Sequence, residues 1–393
     1  MRRILPSLRT DRVRILLPVI GLLLVVAALM GFIAHPVEAA PQPAPDAALH
    51  TQKVSNDTCL ACHNQPGMSK IIGDQTLSLT IDPQKFSDSV HGQEEVACVD
   101  CHTNITGFPH PDLTVESTRD LSLKYYTTCK QCHAEQYEKT LDSVHQKALA
   151  AGNNNAAICT DCHNPHTQTR LTDKATGKLL PDARVKIPQT CARCHSAIYD
   201  TYKNSVHGKA LTEGNPDVPT CIDCHGVHNI QNPTTTSFRN STPFLCAKCH
   251  TDKSIMDKYG ISTAVLNTYV SDFHGTTVTL FDKTFPDQPT NKPVCTDCHG
   301  VHDIARVDDP NTGIALRQNL LVKCQRCHPD ATANFPDAWM SHYVPSPDKY
   351  PIVYYVNLFY KFFIPAVIGG MLIFVISDIV RRVMERRKGA THK

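Results

Sequence analysis

The sequence predicts a mainly α-helical protein with much coil, a repeat domain flanked by two transmembrane helices. Three observations carry this expectation: nine copies of one pentapeptide, an ungapped internal repeat, and an apolar run near each end.

The pentapeptide is Cys-x-x-Cys-His. It comprises Cys59, Cys62 and His63; Cys98, Cys101 and His102; Cys129, Cys132 and His133; Cys159, Cys162 and His163; Cys191, Cys194 and His195; Cys221, Cys224 and His225; Cys246, Cys249 and His250; Cys295, Cys298 and His299; and Cys324, Cys327 and His328. These absorb all 18 cysteines of the 393-residue chain. Chance placement would give only about 0.04 copies, and the spacing is the signature of c-type haem attachment. Two thiols three positions apart reach the two vinyl groups of one haem, and the following imidazole reaches the iron. A disulfide framework needs no His after every second Cys. A zinc site would leave the His unexplained, and a thioredoxin-like motif would occur once. Nine covalently attached haem c groups are therefore expected. The net charge of +2 gives no case for nucleic acid.

The repeat unit joins two such motifs. Cys129, His145, Cys159 and His166 recur as Cys191, His207, Cys221 and His228, each displaced by 62 residues, with Tyr137 and Tyr199 in step. The same grammar covers Cys59, His91, Cys98 and His110, and again Cys246, His274, Cys295 and His302; Cys324 with His342 makes a half-unit. About four and a half two-haem repeats thus fill residues 51–345.

Nine histidines in this segment lie outside the motifs: His91, His110, His145, His166, His207, His228, His274, His302 and His342. Nine irons need nine sixth ligands, so these are the candidate distal ligands, while His35, His50 and His392 fall outside the pattern. In CIDCHGVH, His228 is three residues past His225, a reach of roughly 10 Å at most. That is too short to round a macrocycle, so His228 should serve a neighbouring haem. The equal 12-residue steps from His133 to His145 and from His195 to His207 suggest instead that these two serve the motif just upstream. Met340, beside His342, is a rival ligand for the last haem. About one motif per 32 residues leaves too little protein for an ordinary core, so the domain should be haem-cored, with short helices carrying the motifs and loops holding many of the 27 prolines.

At the N-terminus, residues 1–14 are basic, and Ile15 to Ala34 form an uncharged run long enough to span a bilayer. Val37-Glu38-Ala39 would suit cleavage of a signal peptide, but the length of the run favours a retained anchor. Residues 35–50 read as a Pro-rich linker. A second membrane segment is expected at 354–380, followed by a basic tail at 381–393. By the positive-inside rule both termini lie in the cytoplasm and the haem domain on the periplasmic or extracytoplasmic side of the inner (cytoplasmic) membrane, with Tyr354, Tyr355 and Tyr360 in the outer interfacial belt. Asp378 either reaches the inner interface or faces a partner helix or proton path. Gly369 and Gly370 would permit close helix contact.

The repeated CxxCH with SVHG and CxDCHxxH resembles the cytochrome c3 and doubled-CxxCH superfamily of multihaem c-type cytochromes. The resemblance implies closely spaced bis-His haems passing electrons along their length in anaerobic respiration. YKFFIPAVIGGMLIFVISDIVRR looks like the opening helix of proteins that join a multihaem cytochrome to a membrane b-type cytochrome, which implies a b-type or other quinone-linked partner subunit. An N-terminal anchor followed by haems is similar to the NapC/NirT family of quinol-oxidising cytochromes; on CLACHNQPGM the resemblance implies Met68 as a rival ligand for the first haem, but its spacing departs from the family pattern and His91 is preferred. The reading that follows is an electron-transfer subunit between the quinone pool and periplasmic redox proteins. Its alternative is a multihaem oxidoreductase with one open iron acting on a nitrogen or sulfur oxyanion, although no CxxCK motif is present.

Overall fold

The computed structural model describes residues 54–339 and 342–390. The basic N-terminus, the first apolar run and the Pro-rich linker lie outside the described residues, as does Met340. Asn56–Lys393 forms one compact unit.

Short helices dominate, and the only sheet among the described residues is a two-stranded hairpin, Ser69–Ile72 against Gln75–Ser78. Its two-residue turn begins at Gly73, whose φ of 61° suits the left-handed region that tight hairpins require. The hairpin backs the first motif: the Leu79 carbonyl lies 2.9 Å from His63 Nδ1.

The two motifs of a repeat fold differently. The first ends a longer helix, as in Asn56–His63, Thr236–His250 and Arg317–Gln325. The second begins a helix of about one turn: Cys98–Cys101, Cys159–Cys162, Cys221–His225 and Cys295–His299. So short a helix is marginal alone. The motif supplies its own cap, because the Asp of CxDCH accepts from the backbone N–H of the residue before the first Cys. These bonds run from Ala97 to Asp100 and from Ile158 to Asp161 at 2.8 Å, and from Thr220 to Asp223 and Val294 to Asp297 at 2.6 Å. Gly226 and Gly300, at φ 81° and 83°, then end the helix.

The helices that carry the distal histidines start at a buried serine. Ser89, Ser143 and Ser205 accept from the N–H three residues on, capping Val90–Gln93, Val144–Ala150 and Val206–Thr212. In the fourth repeat Asp272 replaces the serine and caps Phe273–Thr284. Gly92, Gly208 and Gly275 let these helices press on preceding backbone: a Cβ there would meet the carbonyl oxygens of Phe86, Tyr202 and Tyr269 at 2.0–2.1 Å. Successive repeats are also joined by backbone, with Val90, Val144 and Val206 donating to the carbonyls of Gln168, Ile230 and Ile304, each at 2.8 Å.

The apolar core is thin. Eleven hydrophobic residues are buried among those described, and five of them, Ala97, Ala156, Ala183, Ala247 and Ala331, are alanines. Side chains this small cannot hold a domain of this size together. Something else must fill the interior.

The last element is a single helix, Pro351–Ala390, of which Pro351–Arg387 is long and apolar enough to cross a membrane, with none of its apolar window buried. At about 1.5 Å per residue it extends for about 60 Å, twice a hydrocarbon core. It thus overruns the expected 354–380 segment on both sides. Asp378 bonds Arg381 at 2.9 Å and Arg382 at 2.6 Å. Its carboxylate is matched by the basic end of its own helix.

Candidate haem-binding site

Each motif histidine faces one histidine from elsewhere in the chain. The ring centroids of His63 and His110 are 6.1 Å apart. His91 and His133, His102 and His166, and His145 and His195 are each 6.2 Å apart. His163 meets His228, and His207 meets His250, at 6.3 Å. His225 and His302 are 6.0 Å apart, His274 and His328 6.5 Å, and His299 and His342 6.2 Å. All eighteen rings are used once.

This spacing tests whether the residues suit a metal. An imidazole nitrogen sits about 2.0 Å from a bound metal and about 1.1 Å from its own ring centre, so an ion between two rings holds the centroids about 6.2 Å apart. All nine gaps, from 6.0 to 6.5 Å, match. Neutral rings are also needed, because a lone pair must face the metal. Burial lowers the pKa of His102, His207 and His299 to about 4, and the facing rings His166, His250 and His342 push the same way.

The pairing follows a rule that corrects part of the sequence reading. His145 and His207 do not serve the motifs 12 residues upstream; they face His195 and His250, one repeat downstream. His91 and His274 follow the same course to His133 and His328. The trailing His166, His228 and His302 reach one repeat back, to His102, His163 and His225. The physical reason is the cap: the serine-started helix turns its first residues toward the following repeat, where Val144 and Val206 find their carbonyl partners. His91 is therefore not the partner of the first motif. His110 takes that place, and Met68 is held by its carbonyl, which accepts from the Leu79 N–H.

The thiols also form a continuous series. Within repeats, Cys59 lies against Cys98, Cys129 against Cys159, Cys191 against Cys221 and Cys246 against Cys295. Between repeats, on top of burial, the charge of Cys129 and Cys132 acts on Cys101, that of Cys191 and Cys194 on Cys162, that of Cys246 and Cys249 on Cys224, and that of Cys324 on Cys298, each raising the thiol pKa. Burial, reinforced by Cys59, pushes the Cys98 thiol up to about 11. Every motif is adjacent to the next along the chain.

Sequence reasoning missed the clamp that holds the two motifs of a repeat together. Arg119 and Arg239 bond Asp161 and Asp297 at 2.8 Å, and Arg184 reaches Asp223 at 3.5 Å. Each guanidinium also bonds a backbone carbonyl just ahead of the motif: Arg119 reaches Ala156 with its other nitrogen, while Arg184 and Arg239 reach Val218 and Lys292 with the same Nη2 that holds the Asp. The signal was available. Arg184, Arg239 and Arg317 each precede the first Cys of their motif by seven residues.

Two family models match parts of the chain: cytochrome c552 over residues 81–156, and the doubled CXXCH motif over residues 210–255. No solved structure matches. The first match covers His91 to His145 with two CxxCH motifs between them, and the second covers His225, trailing His228 and the Cys246 motif. With facing rings spaced for a metal, these matches support a multihaem c-type cytochrome, a chain that binds haem c covalently and transfers electrons through it.

Proposed function

We propose that the chain is a membrane-anchored nonahaem c-type cytochrome carrying electrons between the quinone pool, or a membrane b-type cytochrome, and periplasmic redox proteins. The cofactor would be held by the 18 thiols and by the nine ring pairs as axial ligands. One observation carries the reading: every motif histidine is opposed by a second histidine at metal-spanning distance. With both axial positions taken, substrate has no route to iron, while electrons still pass between neighbouring edges. Two histidine ligands also favour lower potentials than a histidine–methionine set, which suits a quinol-linked donor. The unbroken thiol series supports a single row of nine haems. The apolar helix at Pro351–Arg387 supports anchoring, and its basic end supports a cytoplasmic C-terminus.

The test is EPR of the oxidised, detergent-purified protein together with a chemical haem count. Nine haems, all low-spin, are expected. A full equivalent of high-spin ferric haem would expose an accessible iron and replace the carrier with an oxidoreductase.

A further inference from the structure

Three of the four helices that present a distal histidine to the next repeat begin at a neutral, buried hydroxyl: Ser89, Ser143 and Ser205. The fourth begins at a carboxylate. Asp272 Oδ1 accepts the His274 backbone N–H at 2.6 Å and lies 3.3 Å from Nδ1 of the same ring. Oδ2 accepts from Trp339 Nε1 at 2.9 Å, and the Trp339 ring stands edge-on to His342, with centroids 5.9 Å apart. The Asp272 charge also acts on the His342 ring. One carboxylate therefore touches His274, the distal histidine of the ninth motif, directly, and reaches His342, that of the eighth, through Trp339, while His342 Nδ1 itself lies 3.3 Å from Thr268 Oγ1.

Among the described residues, the other distal rings lack an equivalent. His91 Nδ1 meets the Pro165 carbonyl at 2.9 Å, and His110 Nδ1 its neighbour's carbonyl at 3.0 Å. Asp161, which acts on His145, is bound by Arg119, and Asp303, which acts on His302, is solvent-exposed. Asp272 is only one-quarter exposed, and among the described residues no Lys or Arg forms a salt bridge with it. A partly buried negative charge beside an axial imidazole makes the ligand more basic and stabilises Fe(III) over Fe(II).

We propose that Asp272 is a positioning residue that lowers the reduction potential of the last two haems, making the C-terminal end of the row its low-potential end. This rests on the axial pairing proposed above. Each reduction adds one electron to a ferric centre, supplied by dithionite in the titration, with both histidines retained. Downhill transfer then runs from the ninth motif toward the first, away from the segment that leads into the Pro351 helix.

The test is a spectroelectrochemical titration of the intact holoprotein with EPR on each sample. Asp272→Ser installs the cap that the other repeats use, and Asp272→Asn keeps the shape without the charge. Both should raise the midpoints of two haems, the ninth more than the eighth, and leave seven unmoved. Ser205→Asp should do the reverse to the haem of His207 and His250. Unchanged midpoints with every haem low-spin would overturn the proposal, as would a high-spin signal appearing in Asp272→Ser, which would make the carboxylate a ligand support alone. High-spin haem in the unsubstituted protein would instead overturn the pairing itself.

Discussion

The interior of the repeat array and its two ends use the same motifs but obey different pairing rules. Between interior repeats, two histidines cross each junction in opposite directions: His145 goes forward to His195 while His228 comes back to His163. At the first repeat there is nothing behind to serve, and His110 turns back onto His63 of its own repeat. At the last, no trailing motif exists to supply His299, and His342 arrives from the segment before the Pro351–Ala390 helix. No interior repeat holds a complete ligand set by itself. The array is held together by exchange, and the ends are closed by histidines that break the exchange.

The largest effect expected from this comparison is loss of the cofactor itself. With five alanines among eleven buried hydrophobic residues, the polypeptide has little to fold around. Chain produced without haem attachment should lack a cooperative thermal transition and show far-ultraviolet circular dichroism well below that of the holoprotein, apart from the Pro351–Ala390 helix, by analogy with metal-dependent domains. An intact transition in that material would mean the side-chain core is sufficient.

Next comes a pair of substitutions that separates interior from end. His228→Ala and His110→Ala should each convert one haem to high-spin, read by EPR. They should differ in stability. His228 crosses a junction, so its loss should lower Tm by several degrees more than loss of His110, which joins residues of one repeat. Equal shifts would show that cross-junction ligation adds nothing to the joining of repeats.

A smaller difference separates Gly208 from its 62-residue counterpart Gln146, which occupies the same third position of the distal helix. A Cβ at Gly208 would stand 2.0 Å from the Tyr202 carbonyl oxygen. Gly208→Ala must displace the helix that carries His207, at a cost of roughly 1–3 kcal/mol from overpacking. Gln146→Gly, in the repeat already built for a side chain, should cost only about 0.5–1 kcal/mol from added backbone freedom. Denaturant unfolding of both variants checks the ratio, and a costlier Gln146→Gly would refute the close-approach account.

Much of this was legible in the sequence because haem attachment is local: two thiols and an imidazole within five residues identify the site before any fold is known. The repeat register was equally plain, since Cys129 to His166 and Cys191 to His228 superpose without a gap. Reach alone sent His228 to a neighbour. What reach could not do was choose between neighbours. His145 is as far along the chain from His133 as His207 is from His195, and that regularity pointed upstream. The direction is set by backbone bonds such as Val144 N–H to the Ile230 carbonyl, which join residues 86 apart and leave no periodic trace. The clamp from Arg239 to Asp297 was hidden for the opposite reason, since an Arg before a motif looks like an ordinary charged residue until its partner is in place.

That clamp gives the smallest expected effect and the finest division between regions. In the interior repeats the arginine binds the Asp that caps the second motif, whereas Arg317 of the terminal half-unit has no second motif and instead bonds Asp337 at 2.5 Å and Asn334 at 2.8 Å. Arg239 and Asp297 are about one-third exposed, so the ion pair alone should contribute about 0.2–1 kcal/mol. The Asp also caps a one-turn helix, worth about 1 kcal/mol by comparison with N-cap losses. Asp297→Ala should therefore destabilise the holoprotein by about 1–2 kcal/mol, more than Arg239→Gln, while Arg317→Gln should cost less than either because its partners cap no motif. The ordering is read from denaturant midpoints. If Arg317→Gln proved the costliest, the clamp would belong to the end of the array and not to the union of two motifs within a repeat.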